Sequence, residues 1–472
     1  MGQTFLEPFD LYQLADPFDA SSVWKQSFFS LDAKTVQDIK NRNLGSPTIS
    51  DSVFDTVRSE SSAVPRPYLV VNACLIGPAD LAPFDTESPV GMEYTPLYVG
   101  SAFSPFGSKV QYRPTTTLLV GGGFVEPFAF GGPAPGGVPS NCPAPDSGHE
   151  CTSLTPPSAP FTLADASGTS SSAFAGIVEE NLAQLVDHLK INVFEKILLE
   201  LLLDYFKSDV SHLAQLAPEA LYWPVTRSAL EPSTVFSFGD GGILESYGLI
   251  RLLRRKLKTA VVFINAVTKL NVGYDPSVAP TGNDIDGNLP PLFGLPVESM
   301  GTFTQNNRVF PKSEFTEVVE KLKMAKQAGK TVMASCVHTV AANGWWGIDG
   351  VHLDSDGEMP QGVAVESDQQ VTILWVYNDR VKEWEDQLTQ TTFDAGDLGE
   401  ITLSEAIEKG NPETGKPEGP FRLFPNYKTI GQNSEHELVE LTAEQVNLLA
   451  DLSCWNITNS ESAAVFKTLL GS

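Results

Sequence analysis

The chain has 472 residues, with 31 basic and 58 acidic side chains and a formal net charge of −27. Its 42% hydrophobic and 19% charged residues are those of a globular chain rather than a disordered one, and the length holds one large domain or two to three smaller ones. A surface this acidic repels phosphate backbones and anionic headgroups, so nucleic acid is not an expected partner.

Taken from the N-terminus, residues 1–66 form a mixed segment with proline, aspartate and serine punctuation and one helical stretch near 32–41. The opening residues lack a basic region followed by an apolar run. No secretory signal is therefore expected, and a cytoplasmic location is favoured. At residue 67 the character changes to that of an α/β region running to 472. Residues 68–74 read as a buried strand, and residues 116–120 as a second one ending in Gly121-Gly122-Gly123. The stretch 126–160 is rich in proline and glycine and reads as a long surface loop. Cys142 and Cys151 lie close together in it and would pair only in an oxidising compartment.

Residues 172–206 read as a helix, with Phe174, Val178, Leu182, Leu185 and Leu189 on one apolar face. Its run 197–204 is the most apolar in the chain. Glu200 and Asp204 interrupt it, so no transmembrane segment is expected. Residues 234–238 then read as a strand, 239–242 as a tight turn, 243–258 as a helix and 259–266 as a strand. Such a unit is a βαβ crossover, which makes part of the sheet parallel. Beyond it come a loop at 273–311, a helix at 314–329, strands at 331–340 and 370–377, and a helix at 442–452. The expected fold class is α/β: a mixed, partly parallel central sheet flanked by helices, with long proline- and glycine-rich loops.

Several residues could carry chemistry. Asp240 ends a strand, where α/β sheets place ligand-binding groups, and Gly241 and Gly242 leave room for a substrate beside its carboxylate; an ordinary Asp-Gly turn is the alternative. Ser170 lies within Gly168-Thr169-Ser170-Ser171-Ser172, where a turn into a helix could expose a nucleophilic hydroxyl, although serine and threonine also simply cap helices. The run Gly121-Gly122-Gly123 could aim backbone amides at an oxyanion or merely let the chain leave a sheet. The acidic strings 284–288 and 354–358 lack the glycine and glutamate of a calcium loop and read as turns. Cys336 and His338 share a strand face and read as a core pair. The basic cluster Arg251, Arg254, Arg255, Lys256 and Lys258 suits a helix C-terminus and could also meet a lipid phosphate.

The order of four blocks resembles a known family. Tyr68-Leu69-Val70-Val71-Asn72-Ala73 comes first, then Met92-Glu93-Tyr94-Thr95-Pro96-Leu97-Tyr98-Val99-Gly100. Gly168 to Phe174 follows, and Phe238-Gly239-Asp240-Gly241-Gly242 with its downstream helix and strand is fourth. Together they resemble the patatin-related acyl hydrolases, most closely the fungal phospholipase B and group IV cytosolic phospholipase catalytic domain, over about 67–266. The resemblance implies a patatin-like fold and a serine hydrolase with a Ser–Asp dyad. Asp240 would be the dyad aspartate and glycine amides would hold the oxyanion, with no cofactor and no metal. The implied partner is a phospholipid or lysophospholipid at a neutral or zwitterionic interface.

The family carries its nucleophile upstream of the block matched by 68–73, and residues 1–66 hold no such motif. In family terms Ser170 then falls at a downstream helix start. Two accounts follow: a carboxyl-terminal part of a larger catalytic domain, with 1–66 the remnant of the missing piece, or a self-contained set of Gly121–Gly123, Ser170 and Asp240. A non-catalytic lipid- or protein-binding α/β module is the competing class.

Overall fold

The computed structural model describes residues 27–43, 47–58, 67–81, 90–101, 108–113, 116–121, 123–135, 155–170, 219–224, 233–295, 309–340, 369–388, 392–394, 400–409, 421, 423–427 and 441–471. They fall into two compact units divided between Arg251 and Leu252. Each mixes helices and sheets, so the fold is mixed α/β. The expected helix at 172–206, the acidic string 354–358 and the pair Cys142 and Cys151 lie outside the described residues.

The first unit holds β1 (Phe28–Ser30), β2 (Phe54–Thr56), β3 (Val71–Pro78), β4 (Val90–Tyr94), β5 (Val99–Ser101), β6 (Ser108–Arg113), β7 (Thr116–Val120), β8 (Gly123–Val125), β9 (Glu219–Tyr222) and β10 (Thr234–Asp240). Its main sheet has the order β8-β5-β4-β3-β10-β9 and is antiparallel throughout. The strand expected at 68–74 is β3, displaced toward the C-terminus, and that expected at 116–120 is β7, which pairs with β6 as a hairpin. Helix α1 (Ala33–Arg42) begins where Asp32 Oδ1 accepts the Thr35 N–H at 2.8 Å, a local reason for the helix to start there. A four-residue helix α2 (Pro47–Ser50) follows it. Helix α3 (Leu163–Ser170) packs on β3 and β10. Beneath it Tyr94, Phe130, Phe161, Phe236 and Phe238 form an aromatic core, with Phe130 against Phe161 at 4.8 Å edge to face.

The second unit begins within α4 (Leu249–Arg254) and is built on β11 (Thr259–Ile264), β12 (Met333–Thr339) and β13 (Gln370–Tyr377), in the order β11-β13-β12. Helix α5 (Lys312–Gln327) packs on β12. After β13 come α6 (Lys382–Glu385), the pair β14 (Thr392–Asp394) and β15 (Glu400–Thr402), then α7 (Leu403–Lys409), α8 (Ala443–Thr458) and α9 (Ser460–Leu470). Thr442 and Gln445 form a reciprocal capping box at the start of α8.

The expected βαβ crossover is not formed. Strand β10 pairs antiparallel with β3 and β9, whereas β11 pairs parallel with β13 in a separate sheet. The connecting helix is also far shorter than expected, because residues 241–248 are taken up by a 3-10 turn (Gly241–Ile243) and a coil before α4 starts. Hydrophobic runs identify strands but not their partners. The parallel component lies in β1–β2 and β11–β13, and the largest sheet has none.

At the ends of β11 and β13, buried polar groups fasten the loops of the second unit. Asp379, fully buried, accepts from Lys326 Nζ at 2.8 Å and from the Leu270 N–H at 2.9 Å, and its other oxygen takes the Arg380 N–H. Asp284 and Asp286 accept from neighbouring backbone N–H groups, so the string 284–288 is an acidic turn, as expected. Among the described residues no cluster of histidine, cysteine, aspartate and glutamate is placed to hold a metal ion.

Cys336 and His338 share the buried face of β12. His338 Nδ1 lies 2.8 Å from Glu314 Oε2, and its Nε2 accepts the Trp375 indole N–H at 2.9 Å. An imidazole that accepts at Nε2 must be neutral with its proton on Nδ1. Phe293 and Phe310 pack against the ring. Burial holds His338 below its ordinary 6.5 despite the opposing Glu314 carboxylate, and burial pushes the Cys336 thiol up to about 11. The depressed imidazole has a consequence for stability. Below pH 6.5 the unfolded chain takes up a proton that the native one refuses, so this site's contribution is complete above 6.5 and declines as pH falls toward the folded value. Chemical denaturation across that range should give a falling stability in the wild type and a flatter profile in His338→Gln.

Candidate functional site

Asp240 closes β10 opposite Ala73 of β3. The strand ends there because Asp240 Oδ1 captures the Gly242 N–H at 2.7 Å, a turn that aspartate makes readily with its own backbone. The N–H groups of Leu244 and Glu245 then return to the Gly241 carbonyl at 3.0 and 2.9 Å. Gly241 is required by close approach: a Cβ there would lie 2.4 Å from Asn72 Cγ and Nδ2 and 2.7 Å from the Ala73 nitrogen. Beneath the turn, the Cys74 thiol donates to the Asp240 carbonyl at 3.3 Å. Burial holds that thiol far above its ordinary value, so it is no nucleophile.

The Asp240 side chain is half-buried. Burial raises its pKa above the usual aspartate value, and the single hydrogen bond from Gly242 opposes the shift. Among the described residues Oδ2 accepts no hydrogen bond, which leaves one carboxylate oxygen able to receive a proton.

Around this turn stand three side chains, Asn72, Glu245 and Arg251, to which the sequence assigns no role at Asp240. Asn72 Nδ2 donates to the Glu245 carbonyl at 2.9 Å, and Asn72 Oδ1 accepts from Arg251 Nε at 3.2 Å. Glu245, buried, accepts the N–H groups of Tyr247 and, in the first turn of α4, Ile250, and burial raises its pKa. Arg251 is buried and turned toward Asn72. The first cation of the basic cluster therefore does not face a lipid phosphate. Residue-level reading passed over Asn72, although a lone amide inside the apolar run 69–74 was a signal that could have found it.

Ser170 is placed otherwise than expected. Helix α3 starts at Leu163, where Thr162 and Asp165 cap one another, and Ser170 is its last residue. Gly168 to Ser170 therefore lie within a helix instead of opening one, because the Thr162–Asp165 pair supplies an earlier start. No strand leads into the serine. The helix does lie on β3 and β10, the strands of the Asp240 turn, yet no hydrogen bond joins Ser170 to Asp240. The Gly121 N–H is donated to Tyr222 Oη at 2.7 Å in the core, so that amide is not free for an oxyanion. Gly122 lies outside the described residues, and Gly123 opens β8 opposite Ser101.

No protein-family model, curated protein or solved structure matches this chain.

Proposed function

We propose that the protein is an acyl-ester hydrolase of the phospholipase or lysophospholipase type in which Asp240 is the proton acceptor of a Ser–Asp dyad. The observation that supports this most is the Asp240 carboxylate itself, half-buried, raised in pKa and, among the described residues, with Oδ2 accepting no hydrogen bond. A base of that kind sits nearer to neutral pH than an ordinary aspartate while keeping an open acceptor. In the reaction a serine oxygen bonds to the ester carbonyl carbon and its proton passes to Oδ2. The proton then goes to the departing alcohol as the ester C–O bond breaks, and water, deprotonated by the same carboxylate, releases the acyl group. Ser170 is the first serine to test. A neutral or zwitterionic interface is the proposed setting, since a net charge of −27 opposes docking on anionic bilayers.

A second reading, a non-catalytic lipid- or protein-binding module, draws on a separate observation. The Gly121 amide is spent on Tyr222, and Ser170 makes no hydrogen bond to Asp240. Turnover of micellar lysophosphatidylcholine, combined with labelling by a fluorophosphonate probe, separates the two. The hydrolase reading expects labelling that Ser170→Ala or another single serine variant removes. It also expects Asp240→Asn to cut kcat by about 10²–10⁴-fold, with an acid limb in the wild-type profile above 3.8. A folded protein with neither turnover nor labelling supports the binding module.

A further inference from the structure

We infer that Asn72 is a positioning residue for Asp240: its side chain is the post around which the chain from Asp240 to α4 is wound. The inference rests on the hydrolase reading for its kinetic part only. Four features converge on this amide. Gly241 is pressed against Asn72 so closely that a single added carbon would overlap Cγ and Nδ2. The Glu245 carbonyl accepts from Nδ2 at 2.9 Å, and Arg251 Nε donates to Oδ1 at 3.2 Å. Gly248, with φ +64, passes over the same side chain, a Cβ on it lying 3.9 Å from Asn72 Cβ.

The hydrogen bonds fix the chemistry of the position. One oxygen must accept from a guanidinium while one nitrogen donates to a carbonyl, and only a primary amide offers both at this size. Register does the rest. Asp240 lies opposite Ala73, so the preceding residue of β3 faces the first residue beyond the strand end, Gly241. Asn72 thus holds Gly241 from below and Glu245 and Arg251 from the far side of the loop. The Asp240–Gly242 hydrogen bond lies between these anchors. Freed from them, the turn would open and water would reach the carboxylate.

The test compares wild type, Asn72→Ala and Asn72→Asp with micellar lysophosphatidylcholine. Asn72→Ala should lower kcat by about 10–100-fold, the scale of a displaced catalytic group, and leave KM within about twofold. Its acid limb should move down toward 3.8 as Asp240 becomes hydrated; a merely structural loss would not move that limb. Asn72→Asp keeps the acceptor for Arg251 and the bulk against Gly241 but sets a carboxylate oxygen against the Glu245 carbonyl, so its kcat should fall between those of Asn72→Ala and wild type. Wild-type kcat and acid limb in Asn72→Ala would overturn the inference.

Hydrogen exchange of the segment 236–251 supplies a readout that needs no turnover. Faster exchange in Asn72→Ala than in Asn72→Asp supports the post, and equal exchange in all three overturns it. If the wild type turns nothing over, the hydrolase reading fails and exchange alone decides the positioning role. If Asn72→Ala does not fold, Asn72→Asp carries the test: with an acceptor oxygen in place of the donor to Glu245, it should exchange faster than wild type, and wild-type exchange would overturn the inference.

Discussion

Gly241→Ala should destabilise the first unit by about 3 kcal/mol or more and remove any Asp240-dependent turnover. The added carbon would sit 2.4 Å from Asn72 Cγ and Nδ2 and 2.7 Å from the Ala73 backbone nitrogen. A flexible side-chain tip could yield to such an intrusion. A backbone atom in the middle of a six-stranded sheet cannot, because β4 holds β3 on one side and β10 holds it on the other. The turn must therefore move as a whole and take the Asp240 carboxylate with it. Gly168→Ala is the matched control. A Cβ at Gly168 meets nothing within 4 Å, and the residue lies inside α3, so alanine there should stabilise by about 1 kcal/mol through helix propensity. Urea denaturation of both variants checks the pair. Similar midpoints for the two would contradict the steric account.

Asp379→Ala should cost the second unit about 3–5 kcal/mol, the range for breaking a buried ion pair from one side. The substitution leaves Lys326, only 17% exposed at its side chain, facing an empty acceptor site. It also strands the N–H groups of Leu270 and Arg380, which have Asp379 as their acceptor. Two backbone donors that lose their Asp379 acceptor, and a lysine left with the Leu270 carbonyl, exceed the loss of one favourable contact. Asp379→Asn retains oxygen at one position and should cost distinctly less. The ordering Ala below Asn below wild type in denaturation midpoint is the expected result, and equal midpoints would show that the pair contributes little.

Much of the local structure was legible in the sequence. The helical stretch read near 32–41 is α1 and the helix read at 442–452 is the first part of α8. The apolar runs at 116–120 and 370–377 coincide with β7 and β13, bounds included. Strand partners were not legible. Residues 234–266 have the local succession of a crossover, yet the two strands join different sheets, since pairing depends on contacts far along the chain. Helix α9 was missed because its start signal, Asn459 accepting the Ser462 N–H, directly abuts the end of α8.

At the candidate site, Asp240 and its two glycines were readable because each answers a local demand: a capped strand end, a tight approach and a donor for the carboxylate. Ser170 was misplaced by one feature, the Thr162–Asp165 cap, which moves the helix start seven residues upstream of the serine. Asn72 escaped notice for the opposite reason. Its partners, Glu245 and Arg251, lie 173 and 179 residues away, and no window of sequence contains both ends of those bonds.

The strand order β11-β13-β12 has a consequence for biosynthesis. The middle strand is the last of the three to leave the ribosome, so among the described strands neither earlier one meets its sheet neighbour until Tyr377 has been translated. Throughout that interval the segment Thr259–Ile264, with its Val261-Val262-Phe263 centre, waits with both of its edges open, a template for pairing with other nascent chains. Closing a loop of that length is slow compared with forming a hairpin. Production of this protein should therefore depend on holdase chaperones and on translation speed between the two strands more than on the stability of the finished sheet.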